Sequence, residues 1–121
     1  KYLMTHAGVS NAWFDEYCLY FYEFGLKSDF SNFADTLNKI GRNRKYVGIF
    51  DTVSYFRGGG DLHGSLIWAD TRELVRDHLI YFHQISGHNK HLDFRKVGDH
   101  ESSITFIDCL FNRTKGLTLS L

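Results

Sequence analysis

Residues 2–10 read YLMTHAGVS, a stretch that passes from a short apolar segment through a polar loop to a serine. The apolar residues 2–4 predict a short β-strand that ends in the loop of residues 5–8. Ser10 can cap a helix, and residues that follow it recur at helical spacing: Trp13, Phe14, Tyr17 and Cys18. The stretch therefore predicts a strand, a loop and a helix in direct succession.

Two more helices are predicted further along the chain. The first begins at Ser31 and stops at Gly41, and the second, which is shorter, covers residues 72–77. One face of the first helix carries its large apolar residues: Phe33, Leu37 and Ile40. Residues 53–70 are rich in glycine and polar side chains, so they are predicted to form a loop between the helices.

The last third of the chain has the pattern of strands. Residues 79–85 predict a buried strand that ends in a turn at 86–88, and residues 103–108 and 117–121 predict two more strands. Apolar and polar residues alternate in the last two, which favours a half-buried antiparallel sheet. Because helices come early and strands late, the order predicts an α+β fold with mixed or antiparallel strands rather than repeated βαβ units.

The composition is that of one packed domain. Hydrophobic residues make up 43% of the 121 residues and aromatic residues 17%, which excludes a disordered chain. Fourteen Lys and Arg balance fourteen Asp and Glu, which argues against nucleic acid or an anionic membrane as a partner. Cys18 and Cys109 are too few for a disulfide framework, and no apolar stretch approaches the ~20 residues of a membrane span, so a cytoplasmic location is favoured.

Two of the seven histidines stand where a metal site is expected. His6 and His88 each follow an apolar segment and have glycine nearby. Strand ends that open into small-residue loops are where α/β sheets present their ligands, and imidazole suits Zn, Mn and Fe. The remaining histidines have polar neighbours and are interpreted as surface or structural residues: His63, His78, His83, His91 and His100.

Four segments, in the same order along the chain, resemble motifs of the calcineurin-like metallophosphoesterases, in the branch of the Ser/Thr protein phosphatases and their bacterial relatives. Residues 3–10 resemble the strand-end "HAG" or "HGG" segment, and residues 85–88 resemble the "GH" motif. Residues 57–70 resemble the bacterial "RGG…GSxxWAD" stretch, and residues 104–108 resemble the "iyfiDtg" strand that closes the fold. The resemblance covers nearly the whole chain and rests on the four motifs together.

The resemblance implies a hydrolase of the four-layer metallophosphoesterase type with two divalent metal ions, Mn, Zn or Fe. In that family a bridging water or hydroxide attacks phosphorus in line, while the metals neutralise the phosphoryl oxygens. By match to the family motifs, His6 and His88 bind the same metal, although Asn89 and Lys90 replace the usual Thr-Pro or Thr-His after the second histidine. The implied substrate is a phosphate monoester, which includes a Ser/Thr phosphoprotein.

Arginines are the expected phosphate partners, because their planar fork matches the phosphate oxygens. Arg57, at the start of the "RGG" segment, is the first candidate, and Arg72, which closely follows the "WAD" tripeptide, is the second. Trp68 is interpreted as a packing residue beneath the site. Asp70 is expected to orient the loop or a ligand histidine from behind.

The family's opening motifs are not found ahead of His6. They are D-x-H-G, G-D-x-x-D-R and G-N-H-E, and they supply the first metal's ligands, the bridging aspartate and the general-acid histidine. We therefore expect residues 1–121 to be the C-terminal part of one metallophosphoesterase domain, inactive in isolation, with those motifs upstream of Lys1. Residues 61–64 and 98–101 read as similar strings but follow His6, so they are interpreted as coincidental, with a circularly permuted site as the alternative.

Two further interpretations stay open. A degenerate family member would keep the phosphoesterase fold as a binding module after losing the metal centre. A plain aromatic-rich α+β domain would carry its histidines incidentally, in which case His6 and His88 would lie far apart.

Overall fold

A four-stranded mixed sheet and three α-helices form the part of the chain that the structure describes. This is a computed structural model that describes residues 2–90 and 95–108, with the backbone alone for residues 88–90. It confirms the α+β class. Across those residues, no helix combines the length and the apolar character needed to cross a bilayer. In chain order the elements are β1 (Tyr2–Thr5), α1 (Asn11–Glu23), α2 (Phe33–Gly41), 3₁₀ turns at Val47–Asp51 and Tyr55–Arg57, α3 (Thr71–Asp77), β2 (His83–Lys90), β3 (Arg95–Gly98) and β4 (Ser103–Asp108).

The strands lie in the order β1-β2-β4-β3. β1 pairs in parallel with β2, and β2 pairs in parallel with β4, whereas β3 runs antiparallel to β4. The sheet is thus mixed, which is one of the two predicted arrangements: β4 has the antiparallel neighbour that its alternation favours on one side and a parallel neighbour on the other. Alternation reports that one face of a strand is buried, and it carries no information on the direction of the neighbouring strand. The strand predicted at 117–121 lies outside the described residues.

The second strand lies further along the chain than its apolar residues predict. Residues 79–82 are not in a strand, and β2 starts at His83 and continues through the predicted turn at 86–88. Leu79 and Phe82 are buried, but they lie in a bend before β2. The backbone N–H of Leu79 holds this bend by donating a hydrogen bond to the carbonyl of Val9 at 3.0 Å. His88 therefore lies within the strand rather than in a turn after it.

The helices follow the sequence closely. Ser10 caps α1, because its side-chain oxygen accepts a hydrogen bond from the backbone N–H of Trp13 at 3.0 Å. α1 has a kink at Tyr17 (φ −113°, ψ 16°), and the aromatic run after it is helical as far as Glu23. α2 ends at Gly41, as predicted, and the short helix predicted at 72–77 is observed as α3.

Two apolar clusters flank the strand ends. The larger one joins α1 and α2 to the bend before β2 and is mostly aromatic, with Trp13, Phe14, Phe21, Phe30, Phe33 and Phe82 among its members. The smaller one packs α3 against β4 through Ala7, Ala69, Leu74, Ile104 and Phe106. Gly8 lies beside the second cluster with φ +104°, and a Cβ there would come within 2.8 Å of Ile104 Cδ1. The loop after β1 therefore needs a glycine, both for its left-handed backbone and for space.

Candidate functional site

The carboxyl ends of β1 and β2 lie side by side. Their parallel register pairs Thr5 with Ser86, and the backbone N–H of Gly87 donates to the carbonyl of His6 at 3.1 Å. The backbones of His6 and His88 thus lie on neighbouring strands at one edge of the sheet. The His6 side chain is exposed, and the side chain of His88 lies outside the described part, so the convergence of the two imidazoles stays a prediction.

A buried amide fixes the loop that carries His6. Gln84 accepts a hydrogen bond from the N–H of Val9 at 2.7 Å and donates one to its carbonyl at 2.9 Å. At the other end of the loop, the Thr5 hydroxyl accepts from the N–H of Gly8 at 2.9 Å. These three bonds tie the histidine loop to the sheet. Sequence reasoning missed Gln84, although a lone amide inside an apolar segment is a signal of a buried polar contact.

The segment 64–70 reaches the same edge of the sheet. The N–H of Ala7 donates to the carbonyl of Leu66 at 2.7 Å, and Ala69 packs in the smaller apolar cluster beside Ala7. The hydroxyl of Ser65 anchors the segment from below by donating to the carbonyl of Phe50 at 2.6 Å. Three of the segments quoted for their resemblance to known motifs are therefore neighbours in space.

Both candidate arginines contact Asp70. Arg72 Nε lies 2.8 Å from Asp70 Oδ1, and Arg57 Nη1 lies 3.5 Å from Asp70 Oδ2. Burial acts to raise the pKa of Asp70, but the hydrogen bonds from Arg72 and the charges of both arginines outweigh it and hold the pKa below its ordinary value. Asp70 is also the N-cap of α3, where it accepts from the backbone N–H of Arg72 at 2.9 Å. The carboxylate thus joins the glycine loop to the start of the helix.

The two arginines differ in how far the protein occupies them. Arg72 also donates to the carbonyl of Phe56 at 2.6 Å and lies over the Phe56 ring, with Cζ 4.7 Å from the centroid. Its fork is therefore largely committed to fixing the loop. Arg57 has the longer contact with Asp70, and its side chain is 28% exposed. The side chain of Arg72 is 62% exposed, so exposure does not favour Arg57, which stays the first candidate by its place in the "RGG" segment.

Glu73 holds the loop from beneath. Its Oε1 accepts from the N–H of Gly64 at 3.0 Å, and the backbone N–H of Asp70 and the hydroxyl of Ser54 also bond to this carboxylate. Burial, which outweighs those bonds, raises the pKa of Glu73. Its Oε2 is buried without a hydrogen-bond partner among the described residues. Sequence reasoning missed Glu73, but the spacing D-x-x-E ahead of an apolar run is the signature of a capping box.

The two internal strings that resemble opening motifs are occupied by local contacts. Asp61 accepts from the N–H of Val53 at 2.9 Å, and His63 Nε2 lies 3.7 Å from a carboxylate oxygen of Glu16. Asp99 caps the turn between β3 and β4 by accepting from the N–H groups of the following residues 101 and 102. Within residues 2–90 and 95–108, no group of three or more His, Cys, Asp or Glu side chains is placed to hold a metal.

Other histidines that the structure describes also have structural contacts. His83 Nδ1 lies 2.9 Å from the Ser103 hydroxyl, which ties β2 to β4, and His78 Nδ1 lies 3.2 Å from the carbonyl of Leu74 at the end of α3. His91 lies outside the described residues.

Comparison of the chain with protein families, curated proteins and solved structures finds no match. The resemblance to metallophosphoesterases therefore depends on the four sequence motifs alone.

Proposed function

We propose that the carboxyl edge of β1 and β2 is part of a metal-dependent phosphate-monoester hydrolase site of the metallophosphoesterase type. The observation that supports this proposal most is the hydrogen bond from Gly87 N–H to the His6 carbonyl at 3.1 Å. It places the residue that follows β1, His6, beside the part of β2 that leads into His88. His6 and His88 would then bind one divalent metal, and Arg57 would bind the phosphoryl group.

The donor set fits a first-row metal but does not complete a site. Two imidazoles suit Zn, Mn or Fe, yet a bound ion needs four or more ligands. Since the described residues offer no cluster of three or more such side chains, the proposal requires carboxylate and amide ligands from outside the described part of the chain. When bound, a two-metal centre supplies an activated water and neutralises charge on the phosphoryl oxygens.

The chain's own contribution is to bind and orient the phosphate. Two arginines against one ionised aspartate leave the cluster with a net positive charge, which attracts an anion. The low pKa of Asp70 keeps this carboxylate ionised at neutral pH, so the arginine forks are held in place before substrate arrives. Glu73 and the cap of α3 fix the same loop to the helix.

A phosphate-binding module without hydrolysis is the second candidate. It is favoured by the arginine pair that Asp70 already orients. Such a module would bind phosphate through Arg57 and would not need His6 or His88.

Metal and phosphate binding separate the two candidates. We expect His6→Ala and His88→Ala to weaken Zn²⁺ binding in equilibrium dialysis, whereas His100→Ala, on an exposed turn, should not. We expect Arg57→Ala to weaken phosphate binding about tenfold or more, because a charge-assisted hydrogen bond contributes about 1.5–3 kcal/mol. Arg76→Ala, on the exposed side of α3, is the matched control and should leave phosphate binding unchanged. Phosphate binding that depends on Arg57, with Zn²⁺ binding that ignores both histidines, would instead favour the binding module.

The sequence upstream of Lys1 tests the family directly. If the proposal is right, it contains D-x-H-G, G-D-x-x-D-R and G-N-H-E in that order, and the longer protein hydrolyses p-nitrophenyl phosphate only with a divalent metal. In that protein His88→Ala should lower both metal content and turnover, whereas Arg57→Ala should lower turnover and leave metal content unchanged. A His88→Ala protein with full metal content and wild-type turnover would contradict the assignment.

A further inference from the structure

A cavity of about 400 Å³ lies between α1, the loop that follows α1 and the bend before β2. It is separate from the candidate residues His6, Arg57 and Arg72, which do not line it. Sites for small molecules typically measure about 300–1,000 Å³, and most of their lining is hydrophobic and aromatic. The cavity therefore has the size of a small-molecule site.

Aromatic rings form much of the cavity wall, and they belong to Phe14, Tyr22, Phe30 and Tyr81. The ring of Phe30 stacks on that of Tyr81 with the centroids 4.2 Å apart and lies 5.3 Å from that of Phe14, so three of the rings form a continuous row. Tyr22 and Tyr81 stay 50% and 51% exposed. These two tyrosines therefore offer aromatic surface to a ligand.

Phe30, in the middle of this row, has an unusual backbone conformation. Its φ of +59° lies in the left-handed region, and no other described residue except glycine has a positive φ. Such a conformation costs about 1–3 kcal/mol and persists only where the surroundings impose it. Here the surroundings are aromatic, because the ring of Phe30 contacts those of Phe14, Phe33, Tyr81 and Phe82. The wall is thus held in place before a ligand binds, so little affinity is lost to ordering it.

The charges around the cavity favour a cation. Asp15 lines it, and the described residues that line it include no lysine, arginine or histidine. Within residues 2–90 and 95–108, the Asp15 carboxylate makes no hydrogen bond or ion pair. A second carboxylate, that of Asp77, lies behind the wall, where its Oδ1 accepts from Asn11 Nδ2 at 3.2 Å. Aromatic faces beside a negative charge are the surface that binds an organic cation.

The wall offers few hydrogen bonds to such a cation. Asn11 is occupied within the protein: besides its bond to Asp77, its amide donates to the carbonyl of His78 at 3.1 Å, and its oxygen accepts from the N–H of Ile80 at 3.2 Å. A primary ammonium is strongly hydrated and would need new partners for three N–H groups. A quaternary ammonium has no N–H group and needs none, so it suits this wall better.

We propose that this cavity binds the trimethylammonium group of a small organic cation, the chemical class of choline. Tyr22 and Tyr81 contact the methyl groups, and the carboxylate of Asp15 balances the positive charge. The site does not depend on the proposed phosphoesterase function, since the two share no residue.

Binding to the 121-residue chain, followed by two-dimensional NMR, tests the proposal. The probes are choline, its neutral isostere dimethylbutanol, in which carbon replaces the nitrogen, and ethanolamine, which has an unalkylated ammonium. We expect choline to bind more tightly than the other two and to shift the signals of the cavity residues. Tyr81→Leu should weaken choline binding about three- to tenfold, the range of one cation–π contact, whereas Tyr81→Phe keeps the ring and the affinity. Asp15→Asn should weaken choline about two- to fivefold and leave the isostere unchanged.

Tyr55 provides a matched control. It is 55% exposed and stacks on Phe56 at 4.3 Å, but it does not line the cavity. Tyr55→Leu should leave all three affinities unchanged. The proposal is overturned if tens of millimolar choline shift no signal of the cavity residues, if choline binds no better than its neutral isostere, or if neither Tyr81→Leu nor Asp15→Asn weakens it. Sedimentation of the protein with phosphatidylcholine vesicles, reversed by free choline, would overturn the assignment to a small molecule in favour of a lipid headgroup.

Discussion

The side chain of Gln84 binds both backbone polar groups of Val9, at 2.7 Å from the N–H and 2.9 Å from the carbonyl. Gln84 and Val9 are both buried, so the polar groups of one cannot form hydrogen bonds with water if the other is lost. In the loop that follows β1, the Gln84 amide thereby satisfies the backbone N–H and carbonyl of Val9, as a neighbouring strand would. Loops at functional edges are usually the least stable parts of a fold, and this one is fixed where it re-enters the core.

Gln84→Ala should destabilise the protein strongly. It leaves the N–H and the carbonyl of Val9 buried without partners, and each unsatisfied group costs about 1–3 kcal/mol. Urea unfolding followed by circular dichroism measures the loss. Thr105→Ala on the adjacent strand β4 is the control and should cost less. Equal losses in the two variants would show that the double hydrogen bond to Val9 adds nothing special.

Gly8→Ala should cost more than Gly25→Ala. Both glycines have positive φ, +104° and +89°, so both substitutions strain the backbone by about 1–3 kcal/mol. At Gly8 the new methyl also meets Ile104 Cδ1 at 2.8 Å and Leu74 Cδ1 at 2.9 Å, whereas nothing lies within 4 Å at Gly25. The difference between the two losses in unfolding free energy measures the cost of the contacts that the new methyl group makes at Gly8. A difference near zero would mean that Ile104 and Leu74 move aside at no cost.

Asp70→Asn should remove part of the protein's acid sensitivity. The pKa of Asp70 is lower in the folded chain than its ordinary value, so its stabilising effect is complete above about pH 4 and is lost as pH falls through the folded pKa. Asparagine still caps a helix, so the variant isolates the charge from the cap. Unfolding free energies measured between about pH 2 and 6 should fall less steeply for the variant. Identical slopes would contradict the lowered pKa of this carboxyl in the folded chain.

Glu73→Gln should have the opposite effect on the pH dependence. Burial raises the pKa of Glu73 in the folded chain, so the folded state retains a proton that the unfolded chain loses. That contribution to stability is complete below about pH 4.3 and is lost as pH rises through the folded pKa. The wild-type unfolding free energy should therefore decline relative to that of the variant above about pH 4.3. A parallel pair of curves there would contradict the raised pKa of Glu73 in the folded chain.

The 121-residue chain alone should be a poor phosphatase, even with added Mn²⁺ or Zn²⁺. Two histidines leave a metal site mostly unfilled, and the described residues bring no third ligand side chain to them. Initial rates with p-nitrophenyl phosphate measure this. Metal-dependent turnover that Asp61→Ala or His63→Ala abolishes would point to the circularly permuted site instead.

Local signals explain which parts of the fold were predictable. The Ser10 cap, the Gly41 stop and the alternation in Ser103–Asp108 each depend on neighbouring residues, and the structure matches all three. Arg95–Gly98 has only one large apolar residue, so its pairing with β4 comes from a hairpin that periodicity does not reveal. The parallel pairing of β1 with β2 joins distant parts of the chain, which no local pattern can specify.

The candidate site shows the same division. The closeness of Asp70 and Arg72 follows from a helix cap, which is a local feature of the sequence. The approach of Arg57 to Asp70 depends on how the glycine loop folds back onto α3 through Glu73, and that contact is tertiary. Sequence reasoning could therefore identify the two arginines as candidates, but it could not show that both contact the same carboxylate.

The pairing of Tyr2 with His83 has a consequence for how the protein is made. β1 is synthesised before α1, α2 and α3 and its partner strand β2 only after them, so β1 must wait for all the residues between them. Closing so long a segment is entropically costly, and contacts between distant residues form late and slow the folding of small domains. We therefore expect the helical cluster to collapse first and β1 to dock near the end, so that His6 reaches the sheet edge only when folding is almost complete.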